Sequence, residues 1–295
     1  MTVELIVQQV INALSRGSLY ALLALGLAMV YSVLGLMNFA YGELVTVTGY
    51  TMWFLMVRGI SFPVAAVIGI VAATVVSLLT ELTAFHPLRR ASFAAILFSS
   101  FAVSVIIQNL IRQLISPRPR GIRIPAALDE VVRLGPFYIG VLSLVTFALS
   151  LAVMILLVAF LQRSRWGIAL RAAAADFEVA RLVGVRANRI IALSFVISGL
   201  LAGIGGVLWV SRIGGMTPSM GLTPVLRSFI AVVIGGLGTL RGAVVGGFVL
   251  AFLEVALHVL LPSWARPFID ALSLVVVVVI LYISPEGLIR KEVEA

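Results

Sequence analysis

The chain of 295 residues contains no cysteine, two histidines (His86 and His258), a single lysine (Lys291) and few charges, with Asp, Glu, Lys and Arg making up only 11%. Each shortage removes a class of function. Without cysteine there is no disulfide framework, thiolate nucleophile or Cys-ligated zinc. Two histidines far apart in the chain argue against a His-based metal or catalytic site, and no metal or cofactor is expected. A phosphate-binding Gly-x4-Gly-Lys-Ser/Thr loop needs a lysine. The lone Lys291 is followed by glutamate, so this chain does not bind and hydrolyse ATP by that mechanism. It is not expected to be an enzyme. The scattered acids form no series at helical spacing of the kind a proton-coupled carrier carries. Glu81, Glu254, His258 and Asp270 stand singly in or near apolar runs, as interhelical hydrogen-bonding partners would.

What is abundant is apolar surface. Hydrophobic residues account for 62% of the chain and the mean hydropathy is +1.18, whereas a typical soluble domain is about 25% charged. One helical crossing of a bilayer takes about 20 apolar residues, so eight crossings use roughly 160. The composition therefore predicts an all-α polytopic membrane protein. The formal net charge of +9 rests almost entirely on arginine. These arginines sit in short loops between apolar runs, a pattern that reflects topology and lipid headgroups and not nucleic acid. Met1–Val10 carries Glu4 and no basic stretch, so no secretory signal is expected.

Apolar runs occupy about 17–36, 39–57, 62–85, 91–115, 138–161, 190–211, 225–260 and 268–284. The seventh is too long for one straight crossing and is interrupted by Gly235-Gly236, Gly238 and Gly242. It reads as one bent span or as two shorter ones meeting near Arg241, giving eight or nine transmembrane helices. All must be helices, because lipid offers the backbone no hydrogen-bond partner and the alternation of a barrel is missing. Two polar loops, 116–137 and 163–189, fall on opposite faces. The 163–189 face, with His86-Pro-Leu-Arg-Arg90, carries eight arginines against four, which makes it cytoplasmic by the positive-inside rule.

Loop 163–189 carries the densest local pattern. Leu170, Ala173, Phe177, Ala180 and Gly184 are spaced to lie along one side of a helix. Arg171, Asp176, Glu178 and Arg181 stand among them, and Gly184 is placed to end the helix. Such a helix either lies on the membrane surface or docks a partner. Its small residues, Ala172–Ala175, Ala180 and Gly184, favour docking because they allow close backbone approach. Asn38, Tyr41, Gly42 and Glu43 interrupt the second apolar run. A carboxylate at membrane depth costs several kcal/mol, so Glu43 either sits at the headgroup boundary or belongs to a discontinuous helix lining a translocation path. Gly235, Gly236, Gly238 and Gly242 mark a second break, which is equally a device for close helix packing.

At these residues the sequence resembles a known family. Gly35-Leu-Met-Asn-Phe-Ala-Tyr-Gly-Glu43, the stretch Ala175–Leu193, Pro218-Ser-Met-Gly221, the glycine-rich stretch Ala231–Gly247 and Pro285-Glu-Gly-Leu288 together are similar to LivH-type permeases of branched-chain amino-acid ABC transporters. The resemblance runs in order over nearly the whole chain. It implies an ABC importer permease fold over residues 1–295, with 163–189 as the cytoplasmic coupling loop and 116–137 as a periplasmic loop. It further implies a second LivM-type permease subunit, two cytoplasmic ATPase subunits that bind ATP and magnesium, and a periplasmic substrate-binding protein. The setting would be a bacterial inner membrane, with lipid around the chain and a small-molecule substrate within. Glu178-x-Ala180-x3-Gly184 would be the helix seated in an ATPase cleft. Family members commonly have His at Tyr41, Pro at Arg241 and a second Ala at Val179. Related permeases carry urea, short amides or aromatic acids, so the substrate stays open between these and hydrophobic amino acids.

Overall fold

The computed structural model describes residues 3–88, 91–283 and 287–289. Arg89, Arg90, Pro285, Glu286 and Lys291 lie outside them. Twelve helices follow one another among the described residues: α1 (Val3–Leu34), α2 (Tyr41–Val57), α3 (Phe62–Thr80), α4 (Phe93–Leu114), α5 (Ala126–Asp129), α6 (Val141–Arg163), α7 (Arg165–Ala175), α8 (Phe177–Leu182), α9 (Ala187–Ile213), α10 (Leu222–Gly235), α11 (Leu240–Leu260) and α12 (Ile269–Ile283). A five-residue π-helical turn, Glu81–Phe85, extends α3. A 3-10 helix, Ser263–Phe268, and two small antiparallel ribbons complete the elements among the described residues: β1 (Arg120–Gly121) with β4 (Gly215–Met216), and β2 (Val131–Leu134) with β3 (Phe137–Gly140).

Six helices are long and apolar enough to cross a membrane alone: α1, α3 with its π turn, α4, α6, α9 and α11. Residue contacts give the directions of the rest. Along α1, Gly17, Ala21 and Tyr31 face Phe248, Gly247 and Gly238 in turn, so α1 and α11 run antiparallel. Thr74 and Ile70 of α3 face Gly199 and Gly203 of α9, again antiparallel. Val45 and Gly49 of α2 meet Gly206 and Val210 of α9 in parallel. The N–H groups of Leu288 and Ile289 donate to the carbonyls of Ile234 and Gly235, so these residues beyond α12 lie beside the end of α10. With α2, α10 and α12 counted, nine passes alternate in direction among the described residues. This agrees with the expected eight or nine.

Burial divides these passes into two sets. Most of α1 and α9 is enclosed by protein, whereas most of α3, α4 and α6 is left unburied by it. In water such a surface would aggregate; in lipid it is solvated. At the centre, glycine lets backbones touch. A Cβ on Gly199 or Gly203 would overlap the α3 backbone, and one on Gly247 would overlap the backbone of Ala21. Close approach of this kind is what drives helix association where no water remains to be expelled.

The 225–260 run resolves into two helices. α10 ends at Gly235, α11 begins at Leu240, and the turn between them uses positive φ at Gly236 (+109°) and Gly238 (+86°). Those angles disfavour any residue with a Cβ. The two helices lie back to back, with Gly235 against Gly242 and Ala231 against Gly246. At 14 residues, α10 is only about 21 Å long, short of the ~30 Å hydrocarbon core. The stretch 214–221 supplies the remainder. It pairs with β1 through β4, passes Gly49 with Met216 and Met220, and brings Gly221 against Gly42. This pass is therefore a two-residue strand and a turn followed by a helix.

Candidate functional site

The first sequence break is also a break in structure. After Gly35 (φ +66°), residues 36–40 form no regular helix, and α2 begins at Tyr41. Asn38 is buried and its Oδ1 accepts the Ala40 N–H at 3.0 Å. The fully buried Tyr41 donates its hydroxyl to the carbonyl of Leu23 at 2.8 Å. Gly42 meets the backbone of Gly221, so the two broken passes touch where each helix starts. Glu43 is enclosed between α2 and α4 and is not at a surface. Its Oε1 accepts from Ser104 Oγ at 2.9 Å and from Gln108 Nε2 at 2.8 Å. A buried carboxylate held by neutral donors ties two helices together and orients the start of α2.

A second buried acid was read from the sequence only as a single polar residue. Glu254 on α11 accepts the Tyr20 hydroxyl at Oε2 (2.7 Å), and its Oε1 lies 3.0 Å from Arg227 Nε. Arg227 in turn stacks over the rings of Tyr20 and Trp209. Helices α1, α9, α10 and α11 meet at this one cluster.

At the opposite end of the bundle lies the 163–189 loop, which departs from a single helix. The chain breaks at Asp176, an extended residue (φ −148°, ψ 111°) that caps α8. Asp176 Oδ1 accepts the N–H groups of Glu178 and Val179 at 2.9 and 3.0 Å. An aspartate at this position outcompetes helix continuation because it satisfies donors that a helix start leaves open. Gly184, at φ +92°, ends α8 as expected. Leu170, Ala173 and Ala180 do share a buried side, with Phe177 partly buried beside them, but that side packs on the chain itself. The outward face is different. Val179, Leu182 and Val183 are 53%, 86% and 75% exposed, with Glu178 and Arg181 among them. Leu170, Ala173 and Ala180 seat the knob, while Ala172, Ala175 and Gly184 stay exposed beside Val179, Leu182 and Val183.

The knob and the glycine turn, far apart in sequence, come together. Arg171, Ala174 and Ala175 line a cavity of about 420 Å³ with Gly238, Thr239 and Arg241 of the α10–α11 turn. The knob and the α10–α11 turn therefore share one recess.

A nine-pass apolar bundle with broken helices at its centre and an exposed amphipathic knob at one end has the construction of a polytopic membrane transport protein. The chain belongs to the family described as branched-chain amino acid transport system, permease component, whose model matches residues 9–285. It is 31% identical to the high-affinity branched-chain amino acid transport system permease protein LivH of Escherichia coli K12, over 97% of this chain and 96% of that one. It is equally 31% identical to the corresponding BraD protein of Pseudomonas aeruginosa, over 97% of both. Among solved structures, PsaBC from Streptococcus pneumoniae in complex with Fab shares the fold with a TM-score of 0.52 at 14% identity, covering 93% of this chain and 91% of that one.

Proposed function

We propose that this chain is one of two permease subunits in an ATP-driven importer of branched-chain or other hydrophobic amino acids in a bacterial inner membrane. A second, LivM-type permease would complete the path. Two cytoplasmic ATPase subunits would supply the energy, and a periplasmic binding protein would deliver the solute. The observation that carries this reading is the capped α7–α8 knob, with Val179, Leu182 and Val183 exposed between two long membrane helices. An apolar trio on a rigid, charged knob is poorly matched to water and well matched to a hydrophobic cleft in a partner. Arg171, Asp176, Phe177, Glu178, Ala180, Arg181 and Gly184 then build, cap and orient that contact. Gly235, Gly236, Gly238 and Gly242 carry its displacement into α10, and Asn38, Tyr41, Gly42 and Glu43 hold the facing half-pass.

The test is reconstitution in lipid vesicles with the neighbouring-gene ATPases, second permease and binding protein. Leucine uptake should require ATP and all components. The double variant Leu182→Asp, Val183→Asp should insert normally yet fail to retain the ATPases on purification. ATP-independent uptake by this chain alone would refute the assignment and establish a self-sufficient carrier.

A further inference from the structure

Arg16, Arg212 and Arg227 come from three different helices and converge on one cavity of about 300 Å³, walled by Tyr20 and Trp209. One carboxylate answers them. Glu254 is engaged at both oxygens, by Arg227 and by Tyr20. Among the described residues neither Arg16 nor Arg212 has an acidic partner within ion-pair distance. Three guanidinium groups and one carboxylate leave two positive charges in excess in a recess only partly open to solvent. Cations drawn out of water and set beside one another are costly unless an anion joins them. Guanidinium groups match a carboxylate through paired, charge-assisted hydrogen bonds. Trp209 Nε1, on the same wall, is a buried donor without a hydrogen-bond partner among the described residues.

A second cavity, of about 560 Å³, continues from the first, because Trp209, Ile213 and Arg227 line both. Its far side is Met216 and Met220, carried by the non-helical part of the broken pass. Methionine is unbranched and polarisable, and adapts to aliphatic groups of differing shape. One cavity thus offers unpaired cations and its neighbour an adaptable apolar wall. Each lies within or near the about 300–1,000 Å³ common for small-molecule sites.

We propose that the two cavities form one binding station for an amphipathic carboxylate, the α-amino acid of the function proposed above. The carboxylate sits between Arg16 and Arg212, and the aliphatic side chain lies on Trp209, Ile213, Met216 and Met220. The proposal rests on that reading and adds to it the site. Arg227, already neutralised by Glu254, positions Trp209 by stacking on its ring.

The test uses the complete reconstituted transporter, with uptake and ATP hydrolysis measured together at saturating binding protein. Arg16→Gln and Arg212→Gln should each lower leucine taken up per ATP hydrolysed by about tenfold, the scale of one lost charge-assisted hydrogen bond. Binding-protein-stimulated hydrolysis should persist, and Arg212→Lys should recover part of the uptake. Uptake per ATP unchanged in both glutamine variants overturns the station while leaving the importer reading intact. Wild-type ATP-driven uptake of a neutral amide in place of amino acids overturns the station together with the amino-acid substrate, leaving only the ATP-driven importer. If wild type and variants become equal in vesicles of phosphatidylcholine alone, the arginines serve an anionic headgroup and the proposal falls. Should the variants fail to assemble, the wild-type assembly still decides. Leucine should quench its tryptophan emission, leucinamide should not, and Trp209→Phe should abolish the change. Equal quenching by both compounds, or none by leucine, overturns the proposal.

Discussion

Gly246→Ala sets two opposing effects of one methyl group against each other. Alanine is the better helix former, and in an exposed helix the exchange stabilises by about 0.5–1 kcal/mol. At position 246 the new Cβ would overlap the carbonyl oxygen of Ala231 and crowd the N–H of Gly235. Both contacts are to backbone, which cannot rotate aside as a side chain can. The α10–α11 pair must separate, and overpacking of this kind costs about 1–3 kcal/mol. Gly246 lies four residues beyond Gly242, whose own contact with Gly235 is on the same line, so separation at one glycine opens the other. The net expectation is a loss of about 1–2 kcal/mol, some five- to thirty-fold in the unfolding equilibrium. The assay is equilibrium unfolding of the purified protein in mixed detergent micelles. Gly121→Ala is the control, since the nearest foreign atom there lies 3.8 Å away. A Gly246→Ala protein as stable as the wild type would refute the claim that backbone contact holds this hairpin.

Further outcomes follow from the polar contacts. Gln108→Leu removes one of two donors to Glu43 Oε1 and should destabilise by about 1–3 kcal/mol, because the buried carboxylate is left short of partners; unfolding in the same micelles measures it. Tyr20→Phe should cost about 1 kcal/mol, and Arg227→Met clearly more, because it strands the buried Glu254 carboxylate; equal losses would contradict the ion-pair account. Asp176→Ala removes the acceptor of two α8 N–H groups and should cost about 0.5–2 kcal/mol locally. It should appear as faster hydrogen exchange in residues 177–182 with the membrane helices unaffected.

The architecture was legible wherever a helix had to be continuously apolar. The limits of α3, α4, α6 and α9 lie within a few residues of the hydrophobic runs, because hydrocarbon imposes a length that no packing detail overrides. The glycines at 235, 236, 238 and 242 located the hairpin turn, but the run could not say whether it bent or reversed; that depends on Gly242 and Gly246 meeting α10 across space. The knob was read as one helix because spacing registers faces and not caps. Asp176 is a fair helix residue until its carboxylate finds the N–H groups of residues 178 and 179. Of the small residues, Ala173 and Ala180 turn inward against the chain, while Ala172, Ala175 and Gly184 remain exposed. Spacing alone does not tell which of two neighbours a face serves. The enclosure of Glu43 depends on Ser104 and Gln108, sixty residues away. The meeting of Arg16, Arg212 and Arg227 depends on three helices, and no local pattern announces either.

The central placement of α1 also sets an order of events during synthesis. This helix leaves the ribosome before the other described helices, yet the glycine faces that enclose it belong to α9 and α11, roughly 200 residues later in the chain. At ~5–20 residues per second the wait is about 10–40 s. Throughout that interval α1 stands in the insertion machinery or in lipid with Arg16, Tyr20 and its tightly packing face unanswered. Chains arrested near residue 180 should therefore crosslink from α1 to the insertion apparatus or to lipid, and chains extended past residue 260 should not. The most buried helix of the finished protein spends the longest time as its most exposed one.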